Sequence, residues 1–362
     1  MHGRNGKPAP FVFQEKFLKE SQLRYPILLI TGMFIIAALS ACQKALPAGC
    51  PTDCVAADLS GEDLSSYDLS NSNLIDARLD KTKMVKTNLS GADLRGASLK
   101  ESDLEGADLS QAQLTGTNLT LANLRNANLL KTNLSGSDLQ DAKLTSIDLT
   151  QTDLRGVILN NAELIGSVLN GVNLSGVEMV GANLSGSNMY QVDLNGAVIT
   201  QADLSGVKAT RAQMAGIWGS LSKLVGAELG GADLSGDVLF GADLTGANLS
   251  SSKLNGAMLV GANLSGADLR GADLSGAALV LPLPPGASTD FDYNQLTGEK
   301  LLVAMGNTVL SKALFDPVIF DLPESRLLPL LKDAVLQGVL YNDQTIWPLG
   351  FEIPDSAIYA EQ

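Results

Sequence analysis

Histidine is almost missing from this chain: 362 residues hold one, His2. Acid–base, nucleophilic and metal chemistry that depends on imidazole is thereby nearly excluded. Aromatics are only 5% and charged residues 18%, while Gly reaches 36. Length alone would suggest two or three ordinary domains. A conventional core, however, draws much of its buried area from large interlocking side chains, and these are scarce. Apolar content is nonetheless 45%, carried mainly by Leu and Ala, which suits a narrow core made of many copies of small pieces. A basic stripe is also lacking, since the formal charge is −14. That argues against direct binding to DNA or RNA. An acidic surface favours solubility and basic partners without naming one.

What the chain does have is a period. From Leu59 to Leu279 every fifth residue is apolar or small, 45 positions of which 38 are Leu. The exceptions are Met84, Met179, Met189, Ile199, Ala209, Met214 and Gly219. Two residues before each stands a small residue, most often Ala, so the unit reads as in Ala262-Asn263-Leu264-Ser265-Gly266. A period of five fits neither a helix at 3.6 nor a strand at 2; it fits a chain that turns a corner every five residues.

This unit resembles the pentapeptide-repeat family. The resemblance implies an all-β fold, a right-handed quadrilateral β-helix of about eleven coils at four units per coil, with Leu and the small residue pointing inward. At a layer spacing of about 4.8 Å the rod is on the order of 50 Å long. The repeated Asp residues fall at the outward polar position and read as a solvated surface. Over 207–220 the inward positions are Ala209, Met214 and Gly219, which predicts either a local bulge or a core filled by Ile217 and Met214.

Residues 1–42 differ. A mildly basic stretch precedes the apolar run 27–41, which is too short for a membrane span of about 20 residues and has the form of a secretory signal. It ends in Leu39-Ser40-Ala41-Cys42, which resembles the bacterial lipobox. That resemblance implies cleavage and lipidation at Cys42, hence an exported, membrane-associated protein of the periplasm or envelope. A single-pass uncleaved signal anchor is the alternative. Cys50 and Cys54, in the cap and linker 43–56, then form the one available disulfide pair, or remain free.

If four units make a coil, residues 20 apart stack and each side can be read separately. Three sides stay mostly polar. The fourth begins polar, at Asp58, Arg78, Ser98, Asn118 and Asp138, and then carries Ile158, Val180, Val198, Trp218, Val238, Phe240, Met258 and Val260. An apolar stripe of this length is either covered or a contact site.

Repetition over 57–280 stops at Pro282, where a Pro-rich run cannot continue a ladder. Residues 281–333 are expected to be an insertion that packs on the solenoid, with short helices over 298–314 and 322–340. Residues 334–362 hold a degenerate repeat and a cap, which an open solenoid end requires. The expected function is a non-enzymatic structural or protein-interaction solenoid with no cofactor, no metal and an unnamed protein partner, as monomer or dimer. It is tethered to a membrane through the N-terminal lipid or anchor. The alternative is an acidic DNA mimic acting on a DNA-binding enzyme such as gyrase, as some family members do. Lys81, Lys83, Lys86, Arg95 and Lys100 interrupt the negative surface that role needs.

Overall fold

The computed structural model describes residues 52–280, 318, 323–327, 330 and 332–360. Within them the five-residue period becomes a four-sided coil. Parallel bridges join residues 20 apart, and four ladders start at Asp53↔Asn73, Asp58↔Arg78, Asp63↔Lys83 and Asp68↔Asn88. Each pentapeptide therefore stacks on its counterpart one coil later, which is a repeat β-helix. The four ladders are called sides one to four in that order.

The residue types follow from this geometry. The Leu column is buried from Leu59 to Leu279 and forms one continuous core. At the corners the small residue donates its N–H to the carbonyl of the preceding Leu, as Ala92 does to Leu89 at 3.0 Å. The residue before it takes a left-handed backbone, φ +67° at Gly91, where a side chain costs about 1–2 kcal/mol. Ser or Thr can replace the small inward Ala because the hydroxyl finds a carbonyl in the preceding coil. Thr117 Oγ1 donates to Leu94 O at 2.9 Å, and Thr132 Oγ1 to Leu109 O at 2.8 Å. The outward Asp or Asn is more than a solvated group. It accepts the N–H two residues on, as Asn118 Oδ1 does from Thr120 at 3.0 Å, and the Thr120 hydroxyl adds a bond of 2.7 Å. The Asp/Asn-Leu-Ser/Thr triplet thus fixes its own turn.

The coil starts earlier than the Leu count suggests. Cys54 occupies the Leu column, is buried, and receives coil bonds: its N–H donates to Asn73 O at 2.8 Å. A cysteine packs as a small hydrophobe, so residues 52–56 belong to the solenoid rather than to a linker. Through 207–220 the ladders are unbroken, with Val198↔Trp218 and Trp218↔Val238 in register. No bulge forms there. Met214 and Ile217 are buried. The space beside Gly219 is taken by its neighbours, since a Cβ there would lie 3.0 Å from Leu239 Cδ2 and 3.3 Å from Ile199 Cγ1.

After Val280 the chain leaves the register and re-enters at Ala334, whose N–H donates to Leu279 O at 2.7 Å. Val335, Leu340 and Ile346 then pair with Asn263, Asp268 and Asp273. The step from Leu340 to Ile346 is six residues rather than five. The extra residue is absorbed at Asn342, whose Oδ1 accepts the Gly271 N–H at 3.0 Å, while Thr345 Oγ1 donates to Leu269 O at 2.9 Å. Of the expected helices, 298–314 lies outside the described residues. Within 322–340 the described residues hold one α-helical turn, α1 (Glu324–Leu327). Pro323 and Pro329 bracket it, and a proline restricts the residue before it and ends a helix. The terminal layer pairs β1 (Leu340–Tyr341) in parallel with β2 (Ile358–Tyr359). Tyr341 meets Trp347 and Tyr359 edge-on at 5.8 and 5.5 Å, and Trp347 stacks on Phe351 at 5.4 Å. Scarce elsewhere, aromatics gather here to close the core.

Candidate interaction face

Side two is the side that changes character. Its ladder runs without interruption from Asp58 through Asp138, Ile158, Glu178, Val198, Trp218, Val238 and Met258 to Ala278. Val180, Phe240 and Val260 flank it, each one residue past the Leu column. Trp218, Val238 and Met258 therefore stack in one line, with Phe240 and Val260 on the same side.

Burial divides this stripe in two. Val238 is 4% exposed, Met258 3%, and Phe240 and Val260 0%. Ile158 is 37% exposed, and Val180, Val198 and Trp218 are half-buried. The described part of the insertion reaches the covered half. Gly261 N–H donates to Lys332 O at 2.7 Å. A Cβ on Gly241 would meet Leu330 Cδ2 at 3.1 Å, and one on Gly261 would collide with the Leu330 carbonyl. Leu327 is buried as well. Glycine suits the positive φ at both corners (+65° and +72°), and at Gly261 the Leu330 backbone leaves no room for a side chain.

Beneath the covered half sits a residue that the sequence reading passed over. Asp237 occupies the small inward position of side two, where Ala197, Ile217 and Ala257 stand in neighbouring coils. It is fully buried. Its Oδ1 accepts the Ile217 N–H at 3.1 Å, and its Oδ2 has no partner. Burial pushes its carboxyl well above the usual carboxylate range. A charge so enclosed is costly, and the group holds its proton instead. The signal in the sequence is one acid in a column of small residues.

The other three sides carry most of the ion pairs. Arg95, Arg155 and Arg270 fold back onto Asp93, Asp153 and Asp268 two residues earlier, each with a closest approach of 2.6 Å. The guanidinium hydrogen bonds hold these carboxyls below their usual range. Lys253 and Lys223 pair across coils with Asp233 and Asp203, at 3.1 and 3.9 Å. Such exposed pairs contribute about 0–1 kcal/mol each.

Cys54 is disulfide-bonded. Cys50 and Cys42 lie outside the described residues, as does the apolar run 27–41. Among the described residues no three His, Cys, Asp or Glu side chains are grouped to hold a metal ion. No helix among them is long and apolar enough to cross a membrane.

The family model described as "Pentapeptide repeats" matches in eight copies, across residues 52–216 and 238–276. Among solved structures, HetL of the cyanobacterium Nostoc sp. strain PCC 7120 is similar. HetL is described as involved in heterocyst differentiation regulation. It is 34% identical over 66% of this chain and 91% of HetL, with a TM-score of 0.27. A pentapeptide repeat protein of the Arabidopsis thaliana thylakoid lumen is also 34% identical, over 29% of this chain and 66% of that one, with a TM-score of 0.19. QnrB1, a plasmid-mediated fluoroquinolone resistance protein, is 18% identical over 57% of this chain and 80% of its own, with a TM-score of 0.23. No curated protein matches the chain.

Proposed function

This chain belongs to the pentapeptide-repeat family, and from that premise we propose that it is a non-enzymatic interaction scaffold, exported and tethered to a membrane at its N-terminal end. One observation carries the interaction part of this reading. A single side of an otherwise polar rod turns apolar, and its stretch from Ile158 to Trp218 remains partly exposed, although Thr200 and Ser220 beside it are already buried. An apolar surface kept on a rigid scaffold is a contact site for a protein partner. In this reading the solenoid is right-handed with about eleven coils, and the insertion 281–333 packs on the covered half of side two, where Leu330 and Lys332 meet it.

Tethering rests on Leu39-Ser40-Ala41-Cys42 and the apolar run before it. Cleavage there leaves Cys42 acylated by two or more chains, enough for stable anchoring. Cys50 then pairs with Cys54, closing the start of the rod in an oxidising compartment. The test is a Cys42→Ala variant followed for acylation and membrane partition. Wild-type protein is expected in the membrane fraction and acylated, and the variant unacylated. A full-length, soluble, unmodified wild-type product would remove the tether.

The acidic DNA-mimic reading keeps one point in its favour, the charge of −14. It requires a cytoplasmic protein and an evenly negative rod. The Arg and Lys partners on sides one and three break that negative surface.

A further inference from the structure

The corners of the rod obey one rule with one exception. Every corner residue from Ala56 to Gly276, taken in steps of five, has φ between +51° and +74°, except Gln151. Residue type does not account for this, because Gln111, Gln191 and Gln201 adopt +60°, +54° and +59° at the same position.

The ladders part at the same place. Among the described residues no bridge joins Asn128 to Asp148 on side four, or Asp153 to Asn173 on side one, although the flanking pairs Asp108↔Asn128 and Asn173↔Asp193 form. The backbone bonds show how the gap runs. Before Gln151 the chain stays bonded to the following coil: Ser146 N to Ile165 O and Leu149 N to Val168 O, both 2.9 Å. After Gln151 it is bonded to the preceding coil: Asp153 N to Thr132 O at 3.0 Å, with Leu134 N donating to Asp153 O at 2.9 Å. The gap thus passes from one edge of the chain to the other at Gln151. A cleft of about 230 Å³ opens there, lined by Asn128, Leu130, Asp148, Thr150 and Gln151.

The core changes at the same place. Around the gap the small inward column of side four reads Ala107, Ala127, Ile147, Ser167 and Ser187, with Ile147 the largest. Size alone does not open a seam, since Ile217 fills the same inward position on side two with its ladder intact. The Ile147 N–H leaves the ordinary corner carbonyl for Ser167 Oγ at 3.3 Å. Ala127 and Thr152 beside the gap keep 6% and 8% exposure, against 0–2% for Ala107 and Thr132.

We propose that Gln151 is a two-state corner: with φ negative the rod holds an open seam across sides four and one, and with φ positive the seam zips into ordinary ladder. Sides two and three stay continuous in both states, through Asp138↔Ile158 and Lys143↔Glu163. The corner is then a hinge that lets the polar first half of the rod tilt against the half bearing the apolar stripe.

Hydrogen exchange on the full chain, read by mass spectrometry, tests this with two substitutions at one position. Glycine favours positive φ and proline fixes φ near −65°. Segments 126–131 and 151–156 are expected to exchange faster than the reference segment 186–196 in wild-type protein. In Q151G they should slow by about tenfold, the left-handed penalty removed. In Q151P they should keep at least the wild-type rate. Unchanged exchange over 186–196 shows that both variants are folded. Wild-type seam segments protected as well as the reference, or equal seam exchange in Q151G and Q151P, would overturn the proposal.

Discussion

Asp237 lies over Ile217 inside the coil, its Oδ1 accepting the Ile217 N–H at 3.1 Å while its Oδ2 meets no donor. Everywhere else on side two that column holds small or apolar residues, so this acid costs stability that the fold supplies from its Leu ladders. Its place beneath Phe240 and Val260 ties the cost to the covered half of the apolar side.

The pH dependence follows from the direction of its shift. The folded state holds the Asp237 proton to higher pH than the unfolded chain, whose carboxyl titrates near 3.8. Its contribution is intact below that value and is lost as pH rises through the folded pKa. Asp237→Ala, matching Ala197 and Ala257, should raise stability at pH 8 by about 1–3 kcal/mol, the penalty of an unsatisfied buried group. The gain should shrink toward pH 4 in denaturant midpoints. Asp93, Asp153 and Asp268 act with the opposite sign, since their Arg partners lower the folded pKa. Their contribution is present above the ordinary carboxylate pKa and is lost as pH falls through the folded one. A gain from Asp237→Ala that is larger at pH 4 than at pH 8 would contradict this account.

Gly261 and Gly256 separate the covering contact from backbone strain. Both have positive φ, +72° and +67°, but only Gly261 faces the Leu330 carbonyl, while Gly256 has open space. Either change to Ala should cost about 1–2 kcal/mol of left-handed strain. Gly261→Ala alone should also displace Leu330 and Lys332 and expose Phe240 and Val260. Binding of an apolar fluorescent dye, raised in Gly261→Ala and unchanged in Gly256→Ala, is the expected readout.

Buried hydroxyls of the same column type should answer differently. Thr117 bonds Leu94 O, so Thr117→Val should cost about 1 kcal/mol. Ser187 is buried with its hydroxyl unpartnered, so Ser187→Ala should be neutral or stabilising. Thermal midpoints of the two variants check the ordering.

Much of this architecture is legible in the sequence because a period of five admits few folds and a register of 20 sorts residues by side. That is why the sequence alone puts Trp218, Val238 and Met258 on one line, where the ladder holds them. The departures have local physical causes. Cys54 reads as a disulfide candidate in the sequence, but its place in the buried column does not show there, because that column is traced by Leu alone. Of the two outcomes expected over 207–220, the bulge does not form; Met214 and Ile217 are buried, and Ile199 and Leu239 fill the room beside Gly219. Gln151 gives no signal in its own letter, since Gln adopts the standard corner at positions 111, 191 and 201. Asp237 was readable, but only by following the small column and not the Leu column. The split of the apolar stripe was not legible at all, because it depends on where Leu330 and Lys332 return to the rod.

The open half of side two is tested most directly by placing one photo-crosslinking residue at Trp218 or at Asn118, both on the same ladder, in cells expressing the full chain. The account predicts a discrete protein adduct from position 218 and none from position 118. Equal adducts from both positions, or none from 218 with the protein correctly localised, would contradict it.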